Sequence, residues 1–346
     1  MADVGMTPIH DVRVAPRPVA RDAAKAVVPD LSIVIVTWNS ARWIDRCLRS
    51  LPAACEGLSY EVVVYDNASI DGTLHRLPDD SARVIRSSQN DGFAAATNRA
   101  LGMSRGPFVF LLNPDCELGP RSLTVLCEFL GQHPNAAAAA PILLDERGDS
   151  QREFQLRRLP TLRALAAEAL LLDKMMPRNR ATTLYRYRDL DLDLSEPQRI
   201  EQPAAAALLI RRSVFDEIGG FDEQFTPAWF EDVDFCRRLA EAEKELYVVP
   251  AAHARHVGGA SLEHMTYGQF IDLWYRNMWR YARKWFSPRR AEALRWAIVA
   301  GMLLRCVAAL AGFRNGSSSR WEALRSYARV LRKALNRWAD SSPSPL

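Results

Sequence analysis

LSIVIVTWNSARWIDRCLRSL (31–51), followed at once by EVVVYDNASIDGT (61–73), decides the fold. Ile33-Val34-Ile35-Val36 is β-branched throughout and apolar on both faces, as in a parallel strand covered on each side. In residues 40–51, Trp43, Ile44, Cys47, Leu48 and Leu51 recur at helical spacing and form one apolar stripe. EVVVYDN (61–67) is a second buried strand. Strand, helix and strand within about 35 residues make a βαβ unit, which predicts an α/β fold with a Rossmann-like, mostly parallel sheet.

Outward from that unit, RVIRS (83–87), FVFLLN (108–113) and AAAAAPILL (136–144) read as strands. Residues 94–104 and 121–132 read as helices between them. Residues 145–202 are less patterned, with an apolar helix near 161–173 and the acidic run DLDLDLSE (189–196), and are expected to form an insertion or lid. AAALLIRRSVFDEIGGFDE (205–223) returns to a strand, a short helix and a Gly-Gly stop. Beyond Val249 the chain is expected to be mostly helical to about Trp338. Residues 1–29 read as a disordered leader without the apolar core of a signal peptide. The expected organisation is thus this leader, a sheet domain at 30–265 and a basic amphipathic helical region at 266–346.

The 346 residues are 48% hydrophobic and 25% charged, which excludes a wholly disordered or low-complexity chain. Six cysteines without any CxxC pair exclude a small disulfide scaffold and a zinc knuckle, and fit reduced thiols in a cytoplasm. The net charge of +4 is unevenly placed: from Phe270 onward 15 basic residues face 4 acidic ones, leaving the rest at −7. A basic tail on a near-neutral to acidic body points to an anionic surface as its partner. No nucleic-acid partner is expected.

Ligands of open α/β sheets bind outside the carboxyl ends of the strands. The first strand ends in Thr37-Trp38-Asn39, the second in Asp66-Asn67 with Asp71 beyond, and FVFLL in Asn113-Pro114-Asp115. One such set is ordinary turn chemistry. Three on the same rim point to a ligand. GxGxxG after the first strand and GxxxxGK[ST] are both missing, which argues against a dinucleotide oxidoreductase and a P-loop NTPase. A strand-end carboxylate such as Asp115 can instead hold a divalent cation that neutralises a pyrophosphate.

GGFDEQFTPAWFEDVDFCRRL (219–239) sets Glu231, Asp232 and Asp234 beside Trp229 and Phe230. Crowding carboxylates among aromatics raises their pKa and is one way to make a general base. An acidic first helical turn, favoured by the helix dipole, gives the same pattern, and the two readings are compatible. His256, in HARHVGGAS (253–261), is expected in a glycine-rich turn after the strand LYVV, either as a structural residue or completing a cation's coordination.

These motifs, in this order over about residues 31–261, resemble the inverting family-2 glycosyltransferases of GT-A fold, in particular the rhamnosyltransferase-like branch of bacterial surface polysaccharide synthesis. The matching pieces are LSIVIVTWNS, VVVYDNASIDGT, QNDGFAAATNRAL, FVFLLNPDCEL, IGGFDEQF…FEDVDFCRRL and HVGGAS. The resemblance implies that Thr37, Asn39, Asp66, Asn67 and Asp71 hold the nucleoside of a nucleotide-diphosphate sugar. It implies that Asn90, Gly92, Phe93 and Asn98 close over its ribose and phosphates. Asn113-Pro114-Asp115 stands where the family has its Asp-X-Asp metal motif, so Asn113 is a donor contact and Asp115, with His256, the holder of Mg²⁺ or Mn²⁺. Asp232 matches the catalytic base, while Glu231 and Trp229 fall at the site of a glycan or lipid-linked acceptor. Ala204 to Ala207 stand where relatives often carry Gly near that acceptor. A sugar nucleotidyltransferase would want a Gly-rich, Lys/Arg-bearing loop where TWNSARW stands, and a non-catalytic membrane-bound scaffold would have lost Asp232 or Asp115.

Two stripes in the basic tail are expected to lie on the inner face of a cell membrane or to pack on the sheet domain, the first of them as readily one as the other. Phe270, Leu273, Trp274, Met278, Tyr281 and Trp285 form one, bordered by Arg276, Arg280, Arg283 and Lys284. Trp321, Leu324, Tyr327, Leu331, Leu335 and Trp338 form the other. Between them, residues 296–313 are nearly long enough to cross, but Arg305 at their middle favours a shallow placement.

Overall fold

The computed structural model describes residues 28–77, 82–189, 194–312 and 319–339. Most of the leader, residues 1–27, and the middle of the acidic run, residues 190–193, lie outside them. The strands are β1 (Leu31–Thr37), β2 (Tyr60–Asp66), β3 (Arg83–Arg86), β4 (Phe108–Leu112), β5 (Cys116–Leu118) and β6 (Ala136–Leu144). They continue with β7 (Leu156–Arg157), β8 (Gln198–Ile200), β9 (Gln202–Pro203), β10 (Ala207–Arg211) and β11 (Glu245–His256).

The main sheet runs β3-β2-β1-β4-β10-β6-β11-β5, with β8 also paired to β11. Strands β1 to β4 are mutually parallel, β10 is antiparallel to β4 and β6, and β11 is parallel to β6. The sheet is therefore mostly parallel, as the sequence predicts. Its order reverses between β1 and β4, so the crevice of the switch point opens beside Thr37 and Asn113. A separate ribbon pairs β7 with β9, Arg157 facing Gln202 across it.

The helices are α1 (Ile44–Ala54), α2 (Phe93–Met103), α3 (Ser122–Gln132), α4 (Arg152–Gln155), α5 (Leu162–Ala169) and α6 (Leu172–Met175). After them come α7 (Arg180–Tyr185), α8 (Arg212–Ile218), α9 (Glu231–Glu241), α10 (Tyr267–Trp285), α11 (Pro288–Leu310) and α12 (Arg320–Leu335). One face of the sheet is covered by the stripes of α1 and α3, through Ile44, Cys47, Leu51, Leu123 and Leu126. The other is covered by α2 and α9, through Ala96, Ala100, Phe235 and Leu239. Full burial of each large apolar side chain contributes roughly 1.5–3 kcal/mol, so both faces must be covered.

Two expectations are corrected. β11 does not stop at Val249: it shifts register between Val249 and His253 and continues to His256. His256 is thus a strand residue, paired in register with Cys116 on β5. The first aromatic stripe, for which the sequence leaves membrane contact as one of two readings, packs inward. Met278 and Tyr281 are buried in a third core with Leu165 of α5, Phe230 and Val233, and Leu273 is buried as well. Tyr327 and Trp338 of the second stripe are buried there too, whereas Trp321 and Leu335 are exposed. Lipid would satisfy an apolar stripe, but here the protein's own interior does so.

Candidate active site

A cavity of about 470 Å³ opens at the carboxyl ends of β1, β2 and β4. Asn39, Asn67, Asn90, Phe93 and Asn113, each expected at a donor, line it together. Asn39 takes a left-handed φ of 50°, and its Oδ1 accepts the Ile70 N–H at 2.9 Å. Asn67 Oδ1 accepts the Asp91 N–H at 3.1 Å, and Asn90 Oδ1 accepts the Gly92 N–H at 3.0 Å. The asparagines thereby fix the loops that form the crevice.

Thr37, Asp66, Asp71, Gly92 and Asn98 are not among the lining residues. Thr37 Oγ1 donates to Asp66 Oδ1 at 2.8 Å, and the Ser69 hydroxyl donates to the same oxygen at 2.6 Å. Partial burial pushes the Asp71 carboxyl up, but hydrogen bonds from Thr73 and Ala41 hold it below its ordinary value. Gly92 has φ +86°, and a Cβ there would come within 2.9 Å of Pro227 O, so only glycine fits this approach. Asn98 bridges to the loop before α9, its Nδ2 donating to Phe221 O and its Oδ1 accepting the Phe221 N–H, both at 2.8 Å.

The pairing of β5 with the end of β11 brings Asp115 and His256 together, with Nε2 3.6 Å from Oδ2 and both side chains buried. His256 Nδ1 lies 3.0 Å from Gln151 Oε1. A proton on Nδ1, donated to Gln151, leaves the Nε2 lone pair facing Asp115. Burial pushes the imidazole pKa down, against the pull of Asp115, and favours this neutral form. Ligand atoms of Asp115, Cys116 and His256 all lie within 4.8 Å of one another. Burial, then the Asp115 charge, pushes the Cys116 thiol well up, and its Sγ donates to Ala206 O at 3.4 Å. A protonated thiol is a poor ligand, so the pair that fits a hard divalent cation is carboxylate and imidazole.

Trp229, Glu231 and Asp232 also line the cavity. Glu231 and Asp232 open α9, after two successive left-handed residues, Trp229 (φ 73°) and Phe230 (φ 74°). Burial, then the charge of Asp232, pushes Glu231 well above its ordinary value. Burial also raises Asp232, but hydrogen bonds from the Val233 and Ala205 backbones and the Arg157 charge oppose it. Both carboxyls are thus pushed up, Glu231 the further of the two. Asp234 is fully buried and belongs elsewhere, accepting hydrogen bonds from Arg238 and Trp285.

Several functional positions escape a reading of the sequence. Asn277 of α10, fully buried, donates from Nδ2 to Ala228 O at 2.8 Å and Trp229 O at 3.1 Å. Trp274 and Phe270 of the same helix wall the cavity. Arg157 and Gln202, opposite each other on the β7–β9 ribbon, line it as well. Three buried side-chain atoms of lining residues have no hydrogen-bond partner among the described residues: Arg157 Nε, Gln202 Oε1 and Glu231 Oε2. Asn277, Arg157 and Gln202 sit in no local motif, whereas Glu231 belongs to the acidic-aromatic run and Phe270 and Trp274 to the first aromatic stripe. For His256 a signal existed, because residues 251–256 alternate exposed and buried, and AAHARH alternates small or polar residues with period two.

A Rossmann-like sheet with a strand-end Asp–His pair and a buried carboxylate pair across one cavity defines a nucleotide-sugar transferase of GT-A type. The chain matches "Glycosyl transferase family 2" over residues 32–219. It is 31% identical over 304 residues, 80% of this chain and 94% of the relative, to N-acetylglucosaminyl-diphospho-decaprenol L-rhamnosyltransferase of Mycobacterium tuberculosis. It is also 26% identical over 233 residues, 65% of this chain and 82% of the relative, to rhamnosyltransferase WbbL of Escherichia coli. The mannosyltransferase PcManGT of Pyrobaculum calidifontis, solved with GDP-Man and Mn²⁺, superposes with TM-score 0.52 at 17% identity, covering 92% of this chain and 89% of that one. The protein belongs to glycosyltransferase family 2 and is a glycosyltransferase. Nothing in these comparisons supports a nucleotidyltransferase or a non-catalytic scaffold.

Proposed function

We propose that the enzyme moves rhamnose, with inversion, from a nucleotide-diphosphate donor to a lipid-linked saccharide in cell-envelope polysaccharide synthesis. The observation that carries this reading is the Glu231–Asp232 pair, Glu231 buried and Asp232 partly so, facing the same cavity as the strand-end asparagines and the Asp115–His256 pair. The sugar and acceptor follow those printed for the M. tuberculosis relative. Asp232 takes the proton of the acceptor hydroxyl as its oxygen attacks the anomeric carbon, and the bond from that carbon to the leaving diphosphate breaks. Mg²⁺ or Mn²⁺ held by Asp115 and His256 would offset charge on that diphosphate. Asn39, Asn67, Asn90, Phe93 and Asn113 line the donor side, with Thr37, Asp66, Asp71, Gly92 and Asn98 bracing their loops. Glu231 and Trp229 face the acceptor. The test is a binding screen of dTDP, UDP and GDP with and without Mg²⁺ or Mn²⁺, followed by transfer from the matching nucleotide-rhamnose to an N-acetylglucosaminyl-diphospho-polyprenol. No transfer from any nucleotide sugar overturns the reading.

We further propose that the enzyme works on the cytoplasmic side of an anionic membrane and rests on it through α11. This helix is long and apolar enough to cross a membrane, with a mean hydropathy of 1.7. Its polarity is inverted. Arg305 points inward, donating to Ala169 O at 2.6 Å and the Tyr275 hydroxyl at 2.7 Å, and Arg295 is buried as well. The outward side, from Trp296 through Leu303, Leu304 and Val307 to Leu310, carries no charge. Beside it, α12 exposes Arg320, Arg325, Arg329 and Arg332. An apolar strip flanked by arginines suits a bilayer with anionic headgroups.

A further inference from the structure

His256 ends β11, and one short turn of the segment between β6 and β10 grips it from outside the sheet. Gln151 is 105 positions away in sequence, yet both hydrogen bonds of its side-chain amide go to His256. Its Nε2 donates to the His256 backbone carbonyl at 2.7 Å, and its Oε1 lies 3.0 Å from ring Nδ1. Phe154, in the same turn, stacks on the imidazole with ring centres 5.3 Å apart and planes at 25°. The phenyl ring is 45% exposed while the histidine beneath it is 3% exposed, so Phe154 covers a ring at its own cost in exposed apolar surface.

These contacts exceed what the turn needs to stay on the sheet. Gln155, buried, already ties it to β6: its Oε1 accepts the Leu143 N–H at 2.9 Å and its Nε2 donates to Pro141 O. The Gln151 backbone N–H adds a bond to Leu143 O at 2.8 Å. The Gln151 side chain contributes nothing to that attachment and engages His256 instead.

The amide also selects one form of the ring. A backbone carbonyl only accepts, so the amide nitrogen must face His256 O, which turns Oε1 toward Nδ1. An amide oxygen likewise only accepts, so Nδ1 carries the proton and Nε2 keeps its lone pair. Nε2 is 3.6 Å from Asp115 Oδ2, beyond hydrogen-bond range, so the two ligand atoms stand together without bonding each other.

Resting on the metal role proposed above, we propose that Gln151 is a positioning residue for cation binding. It locks His256 in the Nδ1–H tautomer and in the orientation that presents Nε2 beside Asp115, while Phe154 holds the plane of the ring. This turn is then a fixed mount for a metal ligand.

The test compares wild type with Gln151→Met and Gln151→Glu. Mn²⁺ is titrated without acceptor, in the presence of whichever of dTDP, UDP and GDP binds wild type, and bound Mn²⁺ is read by electron paramagnetic resonance. The His256 tautomer is read in metal-free protein from its ring-nitrogen NMR shifts, assigned with His256→Asn. Gln151→Met, close in size but unable to accept from Nδ1–H, should weaken Mn²⁺ binding by about 10–100-fold and let the ring populate the Nε2–H tautomer. Gln151→Glu keeps an oxygen for Nδ1–H, so it should keep the wild-type tautomer and bind Mn²⁺ no more weakly than wild type. Both variants lose the bond to the His256 carbonyl, so a residue that merely pins the turn would show equal losses in the two. Equal weakening, wild-type affinity in Gln151→Met, or an unchanged tautomer in Gln151→Met would overturn the inference and leave the metal site standing. Wild type that binds no Mn²⁺ would instead overturn the proposed metal site, and this inference with it.

Discussion

Asn277→Ala should slow transfer without weakening donor binding. The side chain is fully buried and its amide donates to two backbone carbonyls, Ala228 O and Trp229 O, in the turn just before Asp232. Truncation removes two part-buried hydrogen bonds, a loss of about 1–3 kcal/mol in stability. That same turn holds Trp229 and Phe230 in left-handed conformations, at φ 73° and 74°. Each costs on the order of 1–3 kcal/mol and persists only while its surroundings enforce it. Without the Asn277 amide the turn has reason to relax, and Asp232 moves with it. A displacement of about 1 Å at a reacting group lowers the rate by on the order of 10². The assay is single-turnover transfer below the variant's melting temperature, with donor affinity measured separately by calorimetry. Expected are a fall in kcat near 10², an unchanged donor Kd and a lower Tm. A lower Tm with wild-type kcat would refute the positioning argument and leave Asn277 a purely structural residue.

Asp232→Asn should lower transfer by about 10²–10⁴ through loss of the general base while donor binding persists; wild-type turnover would reassign the base. Glu231→Gln should raise Tm, and by more at pH 8 than at pH 5. Burial raises the folded pKa of Glu231 above its unfolded value, so its contribution is fully present below the unfolded pKa and is lost as pH rises toward the folded one. A Tm difference that does not change with pH would contradict that sign. Exhaustive chelation should abolish transfer, and Asp115→Ala should weaken binding of nucleoside diphosphate in the presence of Mn²⁺; full activity after chelation would remove Asp115 and His256 from the metal site. Leu303→Glu with Val307→Glu should abolish flotation with anionic vesicles and spare transfer to a water-soluble acceptor. Unchanged flotation would sink the lipid contact, and a dimer-to-monomer change in sedimentation would instead assign that face to a second copy.

The grouping of strand-end residues around one cavity was legible because it is written locally. Each strand ends in its own polar residues, and a parallel sheet brings those ends to one rim, so Asn39, Asn67 and Asn113 could be grouped without knowing any tertiary contact. Asp232 was legible for the same reason, as the middle of a short acidic-aromatic run. Arg157, Gln202 and Asn277 were not, because their roles arise from partners far along the chain: Asn277 reaches back 49 residues to Ala228. The stripe at 270–285 left two readings open because a helix facing its own protein's core and one facing lipid bury the same pattern of residues. Arg305 left the same gap: its charge counts against lipid only if the side chain faces outward, and here it points into the third core.

The layer formed by α10, α11 and α12 has a further consequence. Its inner side holds the turn that carries the base, through Asn277, while its outer side shows the uncharged strip of α11. Arg305 fastens α11 to Tyr275, two residues before Asn277. Arg305 and the shared core of α10 and α11 thus join the outer strip to the helix that holds the turn before Asp232. An enzyme built this way has no anchor that can be cut away while the catalyst is kept. If α11 rests on a membrane as proposed, that contact and the base's turn belong to one packed layer.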